Sequence, residues 1–265
     1  MAQDRPADFV EALAKGLTIL EVFGADHPDM TLSEVARRAG LSPAAARRSL
    51  ITLMELGYVG QHDRRFFLRP KIMTLGTGFY TSARIEELVQ PDLRELVDRF
   101  GDASSVGTLS GHDVIYVAHV SVQRARRAAA SVGARYPAFA TSMGRVLLAS
   151  LSEAELDRYF DTVQFTALTS STCIEKDNLR AEIETVRKSD YATTVDQLDY
   201  GITALAVAVR DSNGRTIAAL NTSGYTGKVT PQQLVDERLP ELRVSASHIA
   251  HEMTRFPILQ SMLGL

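Results

Sequence analysis

Between Thr31 and Gly57 the chain starts and stops two helices, and this punctuation limits the fold more than any other feature. Thr31 is followed three positions later by Glu34, the reciprocal pair that satisfies orphan N–H groups at a helix start, and Gly40 ends the segment. Ser42 opens the next helix with Pro43 at its first position, and Gly57 closes it. Only Ala39-Gly40-Leu41-Ser42 lies between them, so the pair has the outline of a helix-turn-helix. At about 100° per residue, Ala46, Leu50 and Leu53 share one face of the second helix, while Ala44, Arg48, Ile51, Thr52 and Glu55 fall on the other. The face with Arg48 is therefore expected to be exposed, and the small Ala44 and Ala45 beside it let the helix start approach a groove closely.

The surroundings fit. Phe9, Leu13, Leu17, Leu20 and Phe23 recur at three- and four-residue intervals and predict an apolar stripe on a helix over residues 9–23. Residues 58–68 form two β-prone stretches around a polar, basic turn, the pattern of a wing. The net charge of −3 argues by itself against a nucleic-acid binder, but it conceals an asymmetry. Residues 34–75 carry eight basic and three acidic groups, 8 − 3 = +5, against 2 − 6 = −4 before them and 19 − 23 = −4 after them. A positive segment enclosed by negative ones is the footprint of a small phosphate-facing module attached to something else.

The rest of the chain reads as a second domain. Residues 71–83 predict a helix weakened by Gly76 and Gly78, and residues 86–100 an amphipathic helix. The period then changes to two, with strands expected over 106–109, 114–120 and 128–132. Helices follow over 143–149, 152–160 and 176–189, then strands over 204–211 and 216–223 around Asn213-Gly214, and a final helix over 231–255. Helices around an antiparallel sheet make the whole α+β. The expected division is a DNA-binding domain over 1–70, a linker helix over 71–84 and an effector-binding domain over 85–265. No apolar run approaches 18 residues, and Asp4, Arg5 and Asp8 stand where a signal peptide needs apolar side chains, so neither a membrane partner nor export from the cytoplasm is expected. A lone Cys173 provides no disulfide or thiolate cluster.

Residues 12–70 resemble the winged helix-turn-helix domain of IclR-family transcriptional regulators, through Thr31-Leu32-Ser33-Glu34-Val35-Ala36-Arg37-Arg38-Ala39-Gly40-Leu41 and Leu50-Ile51-Thr52-Leu53-Met54-Glu55-Leu56-Gly57. The resemblance continues through Tyr136-Pro137-Ala138, Thr141-Ser142-Met143-Gly144-Arg145 and Tyr200-Gly201-Ile202, and covers almost the whole chain. It is similar to the subgroup that controls β-ketoadipate pathway genes. The resemblance implies a GAF-like second domain with a pocket for a small carboxylate, aromatic for this subgroup, and a homodimer or dimer of dimers on a pseudo-palindromic promoter site. On the DNA side it implies Arg48, with Arg47 beside it, as the recognition arginine; Ser42 and Thr52 supply hydroxyl donors, and Ala44 and Ala45 replace the family's hydroxyls. Arg64 and Arg65 on the wing either reach phosphates or a minor groove, or are simply the solvated charge of a turn. On the effector side the matched positions are Ser142, Met143 and Asp196, then Ala208, Asn221 and Ser223, with Arg135 and Arg145 as sources of positive charge.

Catalytic chemistry finds little support. The sequence contains no Walker glycine loop, no Gly-x-Ser-x-Gly elbow and no His-Glu-x-x-His pair, and no cofactor or metal is expected. His248 and His251 lie three apart but read as a solvated helix face. Three classes therefore compete: a ligand-responsive regulator, an enzyme with an accessory helix-turn-helix, and an architectural module. Within the first, a short aliphatic acid such as glyoxylate or pyruvate is the alternative effector.

Overall fold

The computed structural model describes residues 6–24, 26–122, 130–256 and 262. The chain divides into two units, Met1–Phe79 and Tyr80–Leu265.

In the first unit the helix starts form by the chemistry read above. After α1 (Glu11–Glu21) and a short strand β1 (Asp29–Thr31), Thr31 caps α2 (Leu32–Arg38), and the Glu34 carboxylate accepts the Thr31 N–H at 2.7 Å. Gly40 takes φ +63°, a left-handed conformation that costs glycine nothing, and frees the chain to begin α3 (Pro43–Glu55). The Ser42 hydroxyl accepts the Ala45 N–H at 3.3 Å. Strands β2 (Val59–His62) and β3 (Arg65–Leu68) follow. The sheet order β1-β3-β2 shows that the wing has a third strand, too short at three residues to carry a periodic signal. Ile19, Met30, Val35, Ala46 and Leu50 form the core. The α1 stripe is buried only toward its end: Phe9, Leu13 and Leu17 are exposed, and Leu20 and Phe23 are partly buried.

A helix α4 (Met73–Ser82) contains the division between the units. In the second unit the helix expected over 86–100 is broken into α5 (Ile85–Leu88) and α6 (Gln90–Phe100) at Val89. Pro91 has no N–H to donate to the Glu87 carbonyl, and its ring crowds that oxygen. Six antiparallel strands follow, in the order β6-β5-β4-β9-β8-β7. They are β4 (Ala103–Ser110), β5 (Asp113–Ser121), β6 (Arg135–Pro137), β7 (Ala192–Val195), β8 (Ile202–Arg210) and β9 (Thr216–Tyr225). The expected strand over 128–132 is corrected: Ala128 and Ala129 lie outside the described residues, residues 130–132 are not strand, and β6 takes the sheet edge instead. Strand β7 was not anticipated. The β8–β9 hairpin closes with a five-residue loop, Arg210 pairing with Thr216, because the Asp211 carboxylate accepts the N–H groups of Asn213 and Arg215 at 2.9 Å each.

One face of the sheet is covered by α7 (Ser142–Ala149), with α8 (Glu153–Thr162) and α9 (Lys176–Ser189) behind it. Phe139, Met143, Leu147, Leu156, Leu179 and Ile183 are buried there. Helix α10 (Pro231–Thr254) packs on β8 and β9, and its Arg238 reaches Thr222, a residue that alternates with Asn221 and Ser223 and so faces the other way. A bulge between Val106 and Gly107 shifts the β4–β5 register: His119 opposes Ser105, but Tyr116 opposes Gly107. Helix α7 packs directly against the turn at Ala138–Ala140 because residue 144 is glycine; a Cβ there would lie 2.0 Å from the Ala138 carbonyl oxygen and 2.4 Å from its Cα.

For Gly144→Ala two effects oppose each other. Helix propensity favours alanine by about 1 kcal/mol, while overpacking against backbone, which cannot rotate away, costs typically 1–3 kcal/mol or more. The clash should win, and urea unfolding should show the second unit destabilised by about 1–2 kcal/mol or unable to fold. An unchanged or higher midpoint would contradict the close approach.

Candidate DNA interface and effector cavity

The first unit presents a basic helix face. Ala46, Leu50 and Leu53 anchor α3 in the core, so Ala44, Arg47, Arg48, Ile51 and Thr52 are left exposed, and Ala45 is half-buried. Among the described residues no ion pair engages Arg47, Arg48 or Arg64, the last at the wing tip beside Asp63, whose φ is +52°. Arg65 differs. Its guanidinium is held by the Asp29 carboxylate, donates to the Asp29 carbonyl at 3.0 Å and lies 3.7 Å from Glu34, so it fastens β3 to β1. That ion pair, rather than a phosphate, is where the structure places Arg65. Thr52 spends its hydroxyl proton on the Arg48 carbonyl at 3.2 Å, and only its lone pairs remain to accept. The Ser42 oxygen caps α3, leaving its proton free to donate.

In the second unit a cavity of about 510 Å³ opens between the start of α7 and the sheet, within the 300–1,000 Å³ usual for small-molecule sites. Ser142, Asn221 and Ser223 line it. The Ser142 hydroxyl and Asn221 Oδ1 are buried, and neither has a hydrogen-bond partner among the described residues. Thr141 caps α7 by accepting the Gly144 N–H at 3.0 Å, which turns the positive end of the helix toward the cavity.

Three of the matched positions do not line the cavity. Met143 is wholly buried in the core under α7, since one step along a helix turns about 100° away from Ser142. Asp196 sits at φ +52° and closes its own loop: its carboxylate accepts the Gly201 N–H at 2.7 Å and the Thr226 hydroxyl at 2.8 Å. Ala208 packs against the core farther along β8. Neither arginine contributes: Arg135 pairs with Asp113 at 3.1 Å, and the buried Arg145 pairs with Glu182 at 2.7 Å.

Sequence reasoning missed His119, Ser105, Tyr116 and Tyr136, all of which line the cavity. His119 Nδ1 lies 2.9 Å from the Ser105 hydroxyl, its Nε2 is buried without a partner, and burial pushes its pKa down. Tyr116 and Tyr136 meet edge to face at 5.0 Å and supply an aromatic wall, and burial raises both phenols above their ordinary range.

A winged helix-turn-helix with a basic helix face, joined to a separate unit that encloses such a cavity, is the architecture of a DNA-binding regulator. Residues 12–63 match the IclR helix-turn-helix domain and residues 78–251 match the bacterial transcriptional regulator IclR C-terminal domain, so the chain belongs to the IclR family of transcriptional regulators. It is 34% identical over 247 residues to the Pca regulon regulatory protein of Pseudomonas putida, covering 93% of this chain and 85% of that one. A crystal structure from Rhodococcus sp. RHA1, of a protein assigned as a transcriptional regulator, superposes with a TM-score of 0.75 at 38% identity, covering 93% of this chain and 99% of the other. The inducer-binding domain of a double mutant of the PobR transcription factor from Acinetobacter, in complex with 3-hydroxybenzoic acid, is 32% identical with a TM-score of 0.58, over 62% of this chain and 96% of that one.

Two predictions follow from this geometry. Arg48→Ala should cost about 1–3 kcal/mol on a specific site and relax one base pair, Arg64→Ala should weaken all sequences alike and flatten the salt dependence, and Arg65→Ala should chiefly lower the melting temperature of the first unit. Fluorescence anisotropy on specific and random DNA, with thermal melts, separates the three. The lowered His119 pKa means that the unfolded chain binds the proton first, so folding stability should fall as pH drops below 6.5 toward the folded-state value. Denaturation at pH 7.5 and 5.5 should show a smaller decrement for His119→Phe than for the wild type.

Proposed function

We propose that the chain is a ligand-responsive regulator of genes for aromatic-acid catabolism, acting as a homodimer or dimer of dimers on a pseudo-palindromic promoter site and controlled by a hydroxylated aromatic carboxylate. The observation that carries this reading is the cavity at the start of α7, large enough for a substituted benzene ring and bounded by two tyrosines and by unpartnered polar atoms. A carboxylate needs fixed N–H and hydroxyl donors, which the Ser142 region supplies, and a ring needs the flat apolar wall of Tyr116 and Tyr136. A glyoxylate-sized acid would leave most of about 510 Å³ unfilled. The relatives whose names concern a Pca regulon and a 3-hydroxybenzoic acid complex support the same chemical class.

The functional division is DNA binding over residues 1–70, linkage over 71–84 and effector binding over 85–265. Binding alters DNA affinity only by favouring one arrangement of the two units, and α4, with Gly76 and Gly78, is the segment through which that preference passes. A winged helix reads few base pairs alone, so two copies on two half-sites supply the affinity.

Thermal shift of the purified protein tests the reading. A 4-hydroxybenzoate or protocatechuate concentration near 100 times its Kd should stabilise the protein by roughly 2.7 kcal/mol and change anisotropy on promoter DNA. Stabilisation by glyoxylate or pyruvate with none by aromatic acids would overturn the effector class, and sedimentation showing only monomer at footprinting concentrations would overturn the assembly.

A further inference from the structure

Four strands place Ala206, Asn221, Ser105 and His119 side by side in register. Opposed residues of antiparallel strands lie about 4.5–5.5 Å apart, so the last three form a continuous polar row. The residues beside the row are small, with Ala204 and Ser223 on one flanking pair and Ala208 and Ala219 on the other. Asn221 is 6% exposed and lines the cavity with its Oδ1 unpartnered, and His119 Nε2 is likewise buried and unpartnered while Nδ1 engages Ser105. Two orphaned polar atoms on one row call for a ligand group that both donates and accepts.

The charges around the cavity narrow that group further. Its described lining residues include no lysine or arginine, but they include Asp102 and Asp199. Arg238, which pairs with Asp102 at 3.0 Å, approaches from the α10 side. His119 is held neutral near pH 7, because burial penalises its charged form. One negative charge is provided for at the start of α7, where Ser142 is 1% exposed with its hydroxyl unpartnered. Among the described lining residues a second buried anion would find no cation, and it would meet the carboxylate of Asp199.

Resting on the effector reading above, we propose that the Asn221–Ser105–His119 row is the subsite that reads the ring hydroxyl, so that the cavity selects hydroxylated aromatic monocarboxylates over unsubstituted and dicarboxylated rings. The phenol donates its proton to Asn221 Oδ1. Ser105 donates to His119 Nδ1, which sets the tautomer with hydrogen on Nε2, and that N–H donates to the phenol oxygen.

Calorimetry on the full chain with benzoate, 3-hydroxybenzoate, 4-hydroxybenzoate and terephthalate tests this. A site built to bond a hydroxyl rejects the analogue lacking it, so one hydroxybenzoate should bind at least about tenfold tighter than benzoate, and terephthalate should give no heat. In Asn221→Leu and His119→Phe the ratio of hydroxybenzoate to benzoate affinity should collapse toward one. Ser105→Ala, a smaller change, should reduce that ratio and serves as the readout if either of the other variants fails to fold. Benzoate binding as tightly as both hydroxybenzoates would overturn the subsite and leave the aromatic-effector reading standing. Terephthalate binding as tightly, or variants that keep the wild-type ratio, would overturn the subsite too. Binding of no aromatic acid would overturn both readings.

Discussion

The approach of two backbones at Gly144 governs the second unit. Because no side chain intervenes, α7 lies directly against the turn at Ala138–Ala140, and its first residue, Ser142, lines the cavity. Everything at the cavity depends on that placement. Ser142 faces the opening while Met143 is forced into the core, and the helix end presents N–H groups where a loop would have presented a mixture. A bulkier residue at 144 would push α7 away from that turn and move Ser142 with it.

Local signals wrote the first unit almost completely. The Thr31–Glu34 box, Ser42-Pro43 and the glycines at 40 and 57 act within a few residues, so chain order alone reveals them. Strand β1 escaped because three residues hold no period, and Arg65 was left open because its partner Asp29 lies 36 residues away. In the second unit, helices were legible through their periodicity, yet the break at Val89 required giving weight to Pro91. Of the cavity, Ser142 was legible at a helix start, and Asn221 and Ser223 only through the family resemblance. Ser105, His119 and Asn221 are joined by strand register across 14 and 116 positions, a relation that no spacing rule in one sequence expresses. Asp196 looked like a ligand contact because of where it falls; its left-handed backbone and its bonds to Gly201 and Thr226 give it a different task.

Positive charge is distributed with a purpose in the two units. In the second, Arg135, Arg145 and Arg238 each lean on a carboxylate and keep away from the cavity interior, which leaves neutral donors to meet an anion. Neutral donors discriminate by direction, whereas a guanidinium attracts any anion within reach. In the first unit the exposed arginines of α3 face water, where long-range attraction to a phosphate backbone is useful and directional selectivity rests on one or two side chains.

The bulge between Val106 and Gly107 ties the cavity's length to its chemistry. Tyr116 and His119 are three positions apart, and a regular strand would send them to opposite faces; the extra residue lets both face inward. Deleting one residue from β5 between them would restore an even ladder with both still facing inward, whereas one residue added to β4 opposite Val117 would restore it and turn either the aromatic wall or the imidazole out to the far side of the sheet. A change of ligand class is therefore open to this architecture by a single-codon insertion in β4, with no side chain redesigned.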